Sequence, residues 1–463
     1  MFSEVFMTIA ESDKIMKSVK SVFFIGVGGV SMSSLALFTL KMGYKAGGSD
    51  RSESETTKRL SDAGVSVFYG HRAKNTEGYD AIVYTAAIKS DNPELLSAKE
   101  RKLPCFTRAE YLGWLMSKYE KRIGVAGTHG KSTVTSMLGE IFIEAEADPT
   151  IMVGAEMRNL NSSYRLGSDS FFIFEACEYT DSFLSFCPTT AVVTNIEYDH
   201  ADYFKDMAQL EESFAKYMKL ADTVCACADD KNLTETLKTA SVKAVTFAID
   251  SEDADFRAEN IVYGDGGCAS FDLLHEGKPL SRITLSVPGR HNVLNALAAA
   301  AAAYVNGISA EAIAKGLSLF KGAKRRFEYK GRTAGGADVY DEYAHHPSEI
   351  SAAIDTARKL DKRVVCVFQP HTFSRTLALL DGFIDSFNRA DEAVFAEIYP
   401  AREVNPGNVT SELISCKVKN ARYIPDFDGI VKYINESCGK DDLVLVIGAG
   451  SITAVADMLT SSK

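Results

Sequence analysis

The 463-residue sequence lacks a hydrophobic run long enough to span a bilayer. Its most apolar stretch, residues 296–305, is far shorter than the roughly 20 residues that a membrane helix needs. The N-terminus lacks a basic flank followed by a long apolar segment and carries the acidic residues Glu4, Glu11 and Asp13, so it does not resemble a signal peptide. The nine cysteines lack paired C-x-x-C spacing, which favours reduced thiols. We therefore expect a cytoplasmic protein with no membrane insertion.

An excess of positive charge is also missing. The 51 basic residues are outnumbered by 62 acidic ones, and the net charge of -11 argues against a general nucleic-acid surface. No nucleic-acid partner is expected. Phosphorylated small molecules remain compatible with this charge, because local basic groups and helix N-termini can bind them.

The chain is longer than one hydrophobic core usually supports, so more than one domain is expected. A plausible linker lies at residues 118–122, and the basic cluster G-A-K-R-R-F-E at residues 322–328 marks a second boundary. We predict three domains at residues 1–118, 119–325 and 326–463.

Residues 122–136 contain the most informative motif, R-I-G-V-A-G-T-H-G-K-S-T-V-T-S. A short apolar strand leads into a glycine-bounded turn, then a lysine and two hydroxyl residues, then a helix-like segment. Glycines let backbone N–H groups turn toward phosphate, a lysine meets the outer phosphates, and a hydroxyl completes a magnesium shell. The glycine spacing is shorter than in the common phosphate-loop pattern, but the complete strand, turn and helix order predicts a nucleoside triphosphate site.

A second glycine loop, G-V-G-G-V-S-M-S from Gly26, follows the strand candidate at residues 21–25. It resembles a dinucleotide fingerprint, with Asp50 at about the expected distance and Ser31 in the third glycine position. Such a loop is either a tight turn without a ligand or a nucleotide site at a helix N-terminus.

Carboxylate and imidazole groups follow two apolar strand candidates of the central region. Glu175 stands near the end of the run F-F-I-F-E-A, and His200 ends N-I-E-Y-D-H, into which the strand candidate at residues 191–196 opens. Metal ligands and catalytic groups belong at the carboxyl ends of parallel strands beside a phosphate loop. A carboxylate ending an apolar strand is costly unless it is paired or coordinated, so Glu175 is the stronger candidate.

The pattern between residues 255 and 287 changes to short alternating runs with glycine turns, which predicts a small antiparallel insertion. His291, Asn292 and Asn295 then lie within about one helical turn, so their amides and imidazole can share a face. They either read a nucleotide base, or Asn292 simply caps the helix.

The last region alternates strands and helices again, and a polar cluster follows each of three strands. The clusters are Y-D-E-Y-A-H-H-P, F-Q-P-H-T-F-S-R and Y-P-A-R-E. They should meet at one edge of a parallel sheet. The predicted fold class is α/β, with a Rossmann-like first domain, a central phosphate-loop ATPase-type domain with the antiparallel insertion, and a Rossmann-like last domain.

Nine segments in order make the chain similar to the Mur ligases over nearly its whole length. The segments are G-V-G-G-V-S-M-S, G-T-H-G-K-S-T, E-A-C-E-Y-T-D-S-F-L, T-N-I-E-Y-D-H, P-G-R-H-N-V-L-N-A, R-R-F-E, Y-A-H-H-P, F-Q-P-H-T-F-S-R and Y-P-A-R-E. The resemblance is to the members that join L-alanine to the lactyl carboxylate of UDP-N-acetylmuramate in peptidoglycan precursor synthesis. It implies ATP as cosubstrate, two Mg²⁺ ions, and a monomer or weak homodimer.

The resemblance also implies roles for the matching positions. UDP-sugar binding falls to Gly26, Gly28, Gly29, Ser31, Ser49, Asp50, His71 and Thr85. ATP binding falls to Gly127, Thr128, His129, Gly130, Lys131, Ser132, Thr133, His291, Asn292, Asn295 and Arg326. The metal ligands are Ser132, Glu175 and His200, and the amino-acid site is Tyr343, His345, His346 and Arg375. The catalytic set is Lys131, Glu175, His200, Arg326 and His346.

Three alternatives stay open at this stage. The nearest is a recycling ligase that attaches an intact tripeptide to the same sugar nucleotide. A nicotinamide-dependent oxidoreductase would use the first glycine loop but would leave the phosphate loop and Glu175 without a purpose. A non-catalytic nucleotide sensor would retain Lys131, Glu175 and His200 without needing them.

The family's acidic motif commonly has other residues at Cys177 and Tyr179, and Ser451 stands where aspartate is frequent.

Overall fold

The computed structural model describes residues 7–85 and 87–461, apart from the side chain of Asp265. These residues form three sheets that follow one another along the chain, each flanked by helices. The predicted boundaries at 118 and 325 fall between sheets, in the connections before β6 and before β16. The three-domain α/β architecture predicted from the sequence is confirmed.

The first domain is a parallel sheet of five strands in the order β3-β2-β1-β4-β5. Its strands are β1 Ser21–Ile25, β2 Lys45–Asp50, β3 Ser66–Tyr69, β4 Ala81–Tyr84 and β5 Cys105–Thr107. Its helices are α1 Ile9–Met16, α2 Val30–Lys41, α3 Glu55–Asp62, α4 Pro93–Glu100 and α5 Arg108–Met116, with a 3₁₀ helix at Ala73–Thr76. Because β1 lies between β2 and β4, the glycine loop after β1 sits where the strand order reverses, which is the usual ligand crevice of such sheets.

The central domain is built on ten strands in the order β15-β14-β13-β12-β11-β10-β6-β9-β7-β8. Its strands are β6 Lys121–Ala126, β7 Thr150–Met157, β8 Ser162–Arg165, β9 Phe171–Glu175, β10 Thr190–Val193, β11 Thr223–Cys227, β12 Val245–Ala248, β13 Phe256–Tyr263, β14 Cys268–His275 and β15 Lys278–Pro288. Its helices are α6 Lys131–Glu144, α7 Met207–Met218, α8 Lys231–Ala240, α9 Arg290–Val305 and α10 Ala310–Leu319, with 3₁₀ helices at Tyr179–Ser185 and Asp265–Gly267. The antiparallel insertion predicted near residues 255–287 is β13–β15. The candidate strand at residues 191–196 is shorter than predicted and ends at Val193, because the chain must then turn toward the phosphate loop.

The last domain is a sheet of six strands in the order β16-β17-β21-β18-β19-β20, parallel except for the β16–β17 pair. Its strands are β16 Glu328–Arg332, β17 Asp338–Glu342, β18 Arg363–Phe368, β19 Glu392–Phe395, β20 Ala421–Tyr423 and β21 Asp442–Ile447. Its helices are α11 Pro347–Arg358, α12 Phe373–Ala378, α13 Leu380–Phe387, α14 Glu412–Ser415, α15 Phe427–Ser437 and α16 Thr453–Thr460. Strand β21 is buried along its whole length, as expected for a central parallel strand with helices on both faces.

The central domain contacts its two neighbours in different ways. One continuous apolar cluster runs from the first domain into the central domain, where the ring of Phe38 packs 6.0 Å from that of Phe172. The last domain has its own apolar clusters on the two faces of its sheet. Charged contacts connect it to the central domain, among them Arg375 with Asp199 and Glu349 with His129. No described helix is long and apolar enough to cross a membrane.

Candidate active site

The phosphate loop connects the end of β6 to the start of α6. Gly127 and Gly130 adopt φ angles of 131° and 84°, which side-chain-bearing residues rarely tolerate. A Cβ atom at Gly127 would lie 2.1 Å from Oγ1 of Thr194, and one at Gly130 would lie 2.6 Å from Oδ1 of Asn295. The amide of Asn195 accepts a hydrogen bond from the backbone N–H of His129 at 2.8 Å. The loop therefore holds its shape through its glycines and through residues that follow β10.

Lys131, the first residue of α6, points back into this loop. Its Nζ donates to the carbonyl oxygens of Gly127 at 2.5 Å and Thr128 at 3.1 Å, and it lies 3.1 Å from both carboxylate oxygens of Glu178. Burial opposes the charged ammonium, but Glu178 outweighs burial and holds the pKa of Lys131 above its usual value. The loop thus presents a permanent positive charge.

Two of the three predicted metal ligands are linked to this lysine through carboxylates. Nε2 of His200 lies 3.6 Å from Oε1 of Glu178, the same carboxylate that pairs with Lys131. Glu175, next to Val125 in the sheet, lies close enough to Lys131 to raise the pKa of the lysine, and its Oε1 accepts from the N–H of Gly154 at 2.6 Å. Ser132 is buried in the first turn of α6. Hydroxyl and carboxylate oxygens are the donors that Mg²⁺ prefers, so Ser132 and Glu175 fit that ion, whereas His200 offers it an imidazole nitrogen.

A cavity of about 420 Å³ opens beside the loop, between the central and last domains. Its walls include seven of the eleven positions predicted for ATP, namely His129, Gly130, Thr133, His291, Asn292, Asn295 and Arg326. Burial and the charge of Arg326 lower the pKa of His291 to about 4, so this imidazole is neutral at pH 7. Asn295 donates to Asn292, which in turn donates to the carbonyl of Pro288, so the amides share one face as predicted.

Arg326 brings a cation from the start of the last domain into this cavity. Its guanidinium lies 5.2 Å from the ring centre of Tyr343. Among the described contacts it has no carboxylate within ion-pair distance. Burial raises the pKa of the neighbouring Glu342 to about 7, although Arg326 opposes that shift. The arginine is therefore available to an anionic group in the cavity.

A histidine and carboxylate cluster lies where the phosphate loop meets α11. His129 stands between Glu197 and Glu349, with Nε2 3.2 Å from the former and Nδ1 3.0 Å from the latter. Burial disfavours the imidazolium, but the two carboxylates outweigh burial and raise the pKa of His129 to about 9. The ring of His346, which caps α11, lies 4.8 Å from the His129 ring and is tilted against it by 46°.

A second cavity of about 500 Å³ is lined in part by His200. The guanidinium of Arg375 forms a two-bond ion pair with Asp199, at 2.9 Å and 3.1 Å, and its Nη1 lies 3.2 Å from Nδ1 of His371. The ring of His371 stacks on Tyr399 at 5.5 Å. The ring of His345 lies 6.2 Å from that of His371, so the polar clusters following β17, β18 and β19 meet at one sheet edge as predicted. Arg375, which was predicted to bind an amino-acid carboxylate, is therefore already ion-paired with the carboxylate of Asp199.

The two remaining acceptor-site positions lie close together. The imidazole Nδ1 of His345 lies 3.3 Å from the carbonyl oxygen of Tyr343, and the two rings pack edge to face at 5.6 Å. Burial lowers the pKa of His345 to about 4, so it is neutral at pH 7. Neither residue lies in the wall of the second cavity.

The predicted UDP-sugar positions gather around the first glycine loop. Gly26 turns with a φ of 84°, and Gly29 precedes the first turn of α2. The N–H of Gly28 donates to a carboxylate oxygen of Asp50 at 2.8 Å. Oγ1 of Thr85 accepts from the N–H of Ala87 at 3.0 Å.

Ser49 and His71 are joined by a buried carboxylate that the sequence did not reveal. Oγ of Ser49 donates to Glu94 at 2.6 Å, and Nδ1 of His71 lies 2.8 Å from the same oxygen. Asn75 donates to the other oxygen at 2.7 Å. Glu94 is fully buried and therefore fixes the orientation of the His71 ring.

Comparison with known proteins places this architecture in a family. Residues 21–120 match the model of the Mur ligase family catalytic domain, residues 125–303 the Mur ligase middle domain, and residues 325–450 the Mur ligase glutamate ligase domain. A curated UDP-N-acetylmuramate--L-alanine ligase from Acetivibrio thermocellus is 43% identical over 96% of this chain and 96% of its own. The chain belongs to the Mur ligase family.

Two solved structures resemble this Mur ligase closely. The UDP-N-acetylmuramate-alanine ligase of Thermotoga maritima matches with a TM-score of 0.79 and 27% identity, over 95% of this chain and 98% of that one. A murein peptide ligase of Psychrobacter arcticus matches with a TM-score of 0.70 and 24% identity, over 95% and 98% of the two chains. The second likeness concerns the fold alone.

The most informative residue that the sequence did not single out in this Mur ligase is Arg108, the first residue of α5. Its Nη1 donates to Oγ of Ser31 in the first turn of α2, at 3.2 Å. Burial lowers the pKa of Arg108, and the thiol of Cys177, whose own pKa is raised by burial, opposes that shift. No carboxylate among the described residues forms an ion pair with it. A half-buried guanidinium without a counter-charge is costly, which marks an anion-binding position.

Proposed function

We propose that this Mur ligase joins L-alanine to the lactyl carboxylate of UDP-N-acetylmuramate, with cleavage of ATP to ADP and phosphate. The observation that supports the proposal is the position of Lys131 and Glu178. They connect the phosphate loop to His200, which also lines the second cavity. The reaction belongs to peptidoglycan precursor synthesis. We place it in the cytoplasm, catalysed by a monomer or weak homodimer.

The chemistry begins with activation of the carboxylate. A free carboxylate is a poor acyl donor because its leaving group would be oxide. The γ-phosphoryl group of ATP is therefore transferred to it, and an acyl phosphate forms. Lys131 stabilises the charge that spreads over the transferred group, and Arg326 adds a second cation from the last domain. Ser132, Glu175 and His200 would hold two Mg²⁺ ions, which neutralise phosphate charge when bound.

The second step is attack of the alanine amine on the acyl phosphate, which expels phosphate. We assign the alanine to the cavity formed by Asp199, His200, His371 and Arg375. A guanidinium fork suits a carboxylate, but Asp199 and His371 already occupy the Arg375 fork. Alanine therefore exchanges with Asp199 on Arg375, and the released Asp199 carboxylate is free to take the alanine ammonium.

Arg108 extends the proposal to the sugar nucleotide. Its guanidinium and the N-terminus of α2 converge at Ser31, so both present positive charge to the same point. We assign this point to the diphosphate of the UDP-sugar. The fully buried Glu94 would orient His71 toward the same ligand.

Product analysis with a panel of acceptors tests the proposal. The protein is incubated with MgATP and UDP-N-acetylmuramate, together with L-alanine, glycine, L-serine or the tripeptide L-Ala-γ-D-Glu-diamino acid, and the sugar nucleotide product is identified by mass. A product carrying one alanine is expected. A product formed with the tripeptide alone would instead identify the protein as a recycling ligase. Absence of product with every acceptor would indicate a nucleotide-binding protein without ligase activity.

The alanine site has its own test. Arg375→Ala is expected to raise the KM for L-alanine while leaving the KM for UDP-N-acetylmuramate nearly unchanged, because it removes the carboxylate fork. Asp199→Asn removes the competing carboxylate but keeps the side-chain shape. An unchanged alanine dependence in Arg375→Ala would place the acceptor elsewhere.

A further inference from the structure

The cluster of His129, Glu197 and His346 brings three potential metal ligands together from two domains. His129 belongs to the phosphate loop, Glu197 follows β10, and His346 precedes α11 in the last domain. Oε2 of Glu197 lies 3.2 Å from Nε2 of His129 and 3.4 Å from Nδ1 of His346. One ligand atom from each residue lies within 4.8 Å of the others. A single ion placed among them could bind all three.

The outer contacts of both histidines orient them for this purpose. Nδ1 of His129 lies 3.0 Å from a carboxylate oxygen of Glu349, and Nε2 of His346 lies 3.3 Å from the carbonyl oxygen of Tyr198. Each ring thus has one nitrogen bound to an outer acceptor and the other within 3.4 Å of Glu197. Nδ1 of His346 also accepts from the N–H of Ser348 at 3.4 Å, and a bound ion would replace this capping contact. Metal-binding histidines show this arrangement, in which a carboxylate or a carbonyl fixes the tautomer and the ring.

We propose that His129, Glu197 and His346 form a binding site for one transition-metal ion of the zinc class, separate from the magnesium ligands of the proposed reaction. Two imidazole nitrogens and one carboxylate oxygen suit Zn²⁺ and leave a fourth position for water, whereas Mg²⁺ prefers oxygen ligands in octahedral geometry. The hydroxyl of Ser348 already donates to the Glu197 oxygen at the centre of the site. Binding would release the proton that His129 shares with its carboxylates.

The ion would connect the phosphate loop to the last domain. Apolar packing joins the first two domains, whereas charged contacts of this cluster are part of what holds the last domain to the central one. An ion bound by His129 and His346 fixes these two parts against each other. Zn²⁺ is therefore expected to inhibit turnover by restricting movement of the last domain, and a zinc-selective chelator should restore it.

The test is a metal titration of the full-length protein without substrates, so its outcome does not depend on the proposed ligase activity. Protein freed of metal by chelation is titrated with Co²⁺, and the visible absorption of low-coordinate Co²⁺ with nitrogen ligands is followed. We expect one equivalent to bind, with displacement by one equivalent of Zn²⁺ and no displacement by excess Mg²⁺.

Five variants, each checked for folding by its thermal unfolding, locate the site. His346→Gln and Glu197→Gln should abolish the signal, and Glu349→Gln, which removes only the outer carboxylate, should weaken binding about 10- to 100-fold. Glu175→Gln, a change in the predicted magnesium set, should leave the signal unchanged. His275→Gln is the matched control, because that histidine packs between Phe256 and Tyr304 in the insertion. Absence of the signal in the unmodified protein, its persistence in His346→Gln, or its loss in Glu175→Gln would overturn the proposal.

Discussion

The glycine loop after β1 and the phosphate loop after β6 occupy the same place in their two sheets. The cation beside each loop, however, comes from a different part of the chain. The phosphate loop carries its own cation, because Lys131 is the first residue of the helix that follows. The first loop carries none, and the N–H of Gly28 is bonded to the carboxylate of Asp50. Its cation is Arg108, which reaches Ser31 from a distant helix.

This difference suggests that the two loops bind phosphate groups with different fates in the reaction. Lys131 is linked through Glu178 to His200, a proposed metal ligand, which suits a phosphoryl group that is transferred. A cation supplied from another helix forms a fixed binding point, which suits a diphosphate that stays intact throughout the reaction. Four predictions test this comparison, in order of decreasing effect.

The largest effect is expected from Lys131→Ala. Removal of a charged donor from the transferred phosphoryl group should lower kcat by about 100- to 1,000-fold. The affinity for UDP-N-acetylmuramate, measured by calorimetry, should stay the same, because that ligand is assigned to the other loop. Lys216→Met is the control, since Lys216 forms only an exposed pair with Glu212. Retained turnover in Lys131→Ala would contradict the assignment of Lys131 to the phosphates of ATP.

Arg108→Met should weaken binding of the sugar nucleotide. Loss of charge-assisted hydrogen bonds is worth about 1.5–3 kcal/mol, or roughly 10- to 100-fold in Kd. Both UDP-N-acetylmuramate and UDP-N-acetylglucosamine should be affected, because they share the diphosphate, while the affinity for ATP should not change. A loss confined to UDP-N-acetylmuramate would assign Arg108 to the lactyl carboxylate.

The same variant separates a binding role from a structural one. Removal of a cation that lacks a counter-charge should leave the thermal stability of the free protein unchanged or raise it. Arg101→Met provides the comparison, because Arg101 donates to the carbonyl of Thr76. A marked fall in the Tm of Arg108→Met would indicate a structural arginine.

A smaller effect is expected from Gly28→Ala. The added Cβ would lie 2.7 Å from a carboxylate oxygen of Asp50 and 3.1 Å from Thr57, so either the Asp50 side chain, which holds the Gly28 N–H, or the loop must shift. The KM for the sugar nucleotide should rise severalfold while the KM for ATP stays constant. Gly264→Ala is the matched control, since the nearest atom to its Cβ would be 3.9 Å away. An equal rise in the KM values for the sugar nucleotide and for ATP would argue against separate binding loops for the two substrates.

The smallest effect concerns the pH dependence of stability around His129. Its pKa is raised in the folded protein to about 9, above the value of about 6.5 in unfolded chains. The stabilisation is therefore fully present below about pH 6.5 and is lost as the pH rises through about 9. Thermal unfolding should show His129→Gln less stable than the parent at about pH 6 and close to it at about pH 10. A constant difference across this range would contradict the charged pairing.

The sequence predicted the features that are local. The phosphate loop, the carboxylate at the end of β9 and the antiparallel insertion were each readable because strand, turn and side chain lie within a short segment. The N-terminal segment that carries helix α1 and the hairpin β7–β8 were not anticipated, although Thr8 and Glu11 form a capping box at the start of α1.

The site residues that escaped prediction depend on long-range contacts. Arg108 and Ser31 are 77 positions apart, and Arg375 and Asp199 are 176 apart, so no local pattern marks either pair. Glu178 could have been suspected from its position just after Glu175. The sharing of Glu178 by Lys131 and His200 is visible only in the folded chain.

The measurement that tests the central proposal most directly is isotope transfer during turnover. UDP-N-acetylmuramate carrying a heavy oxygen isotope in its lactyl carboxylate is converted with MgATP and L-alanine, and the released phosphate is analysed by mass. An acyl phosphate requires one carboxylate oxygen to leave with the phosphate, so labelled phosphate is predicted. Unlabelled phosphate released alongside the alanine product would contradict transfer of the γ-phosphoryl group to the carboxylate.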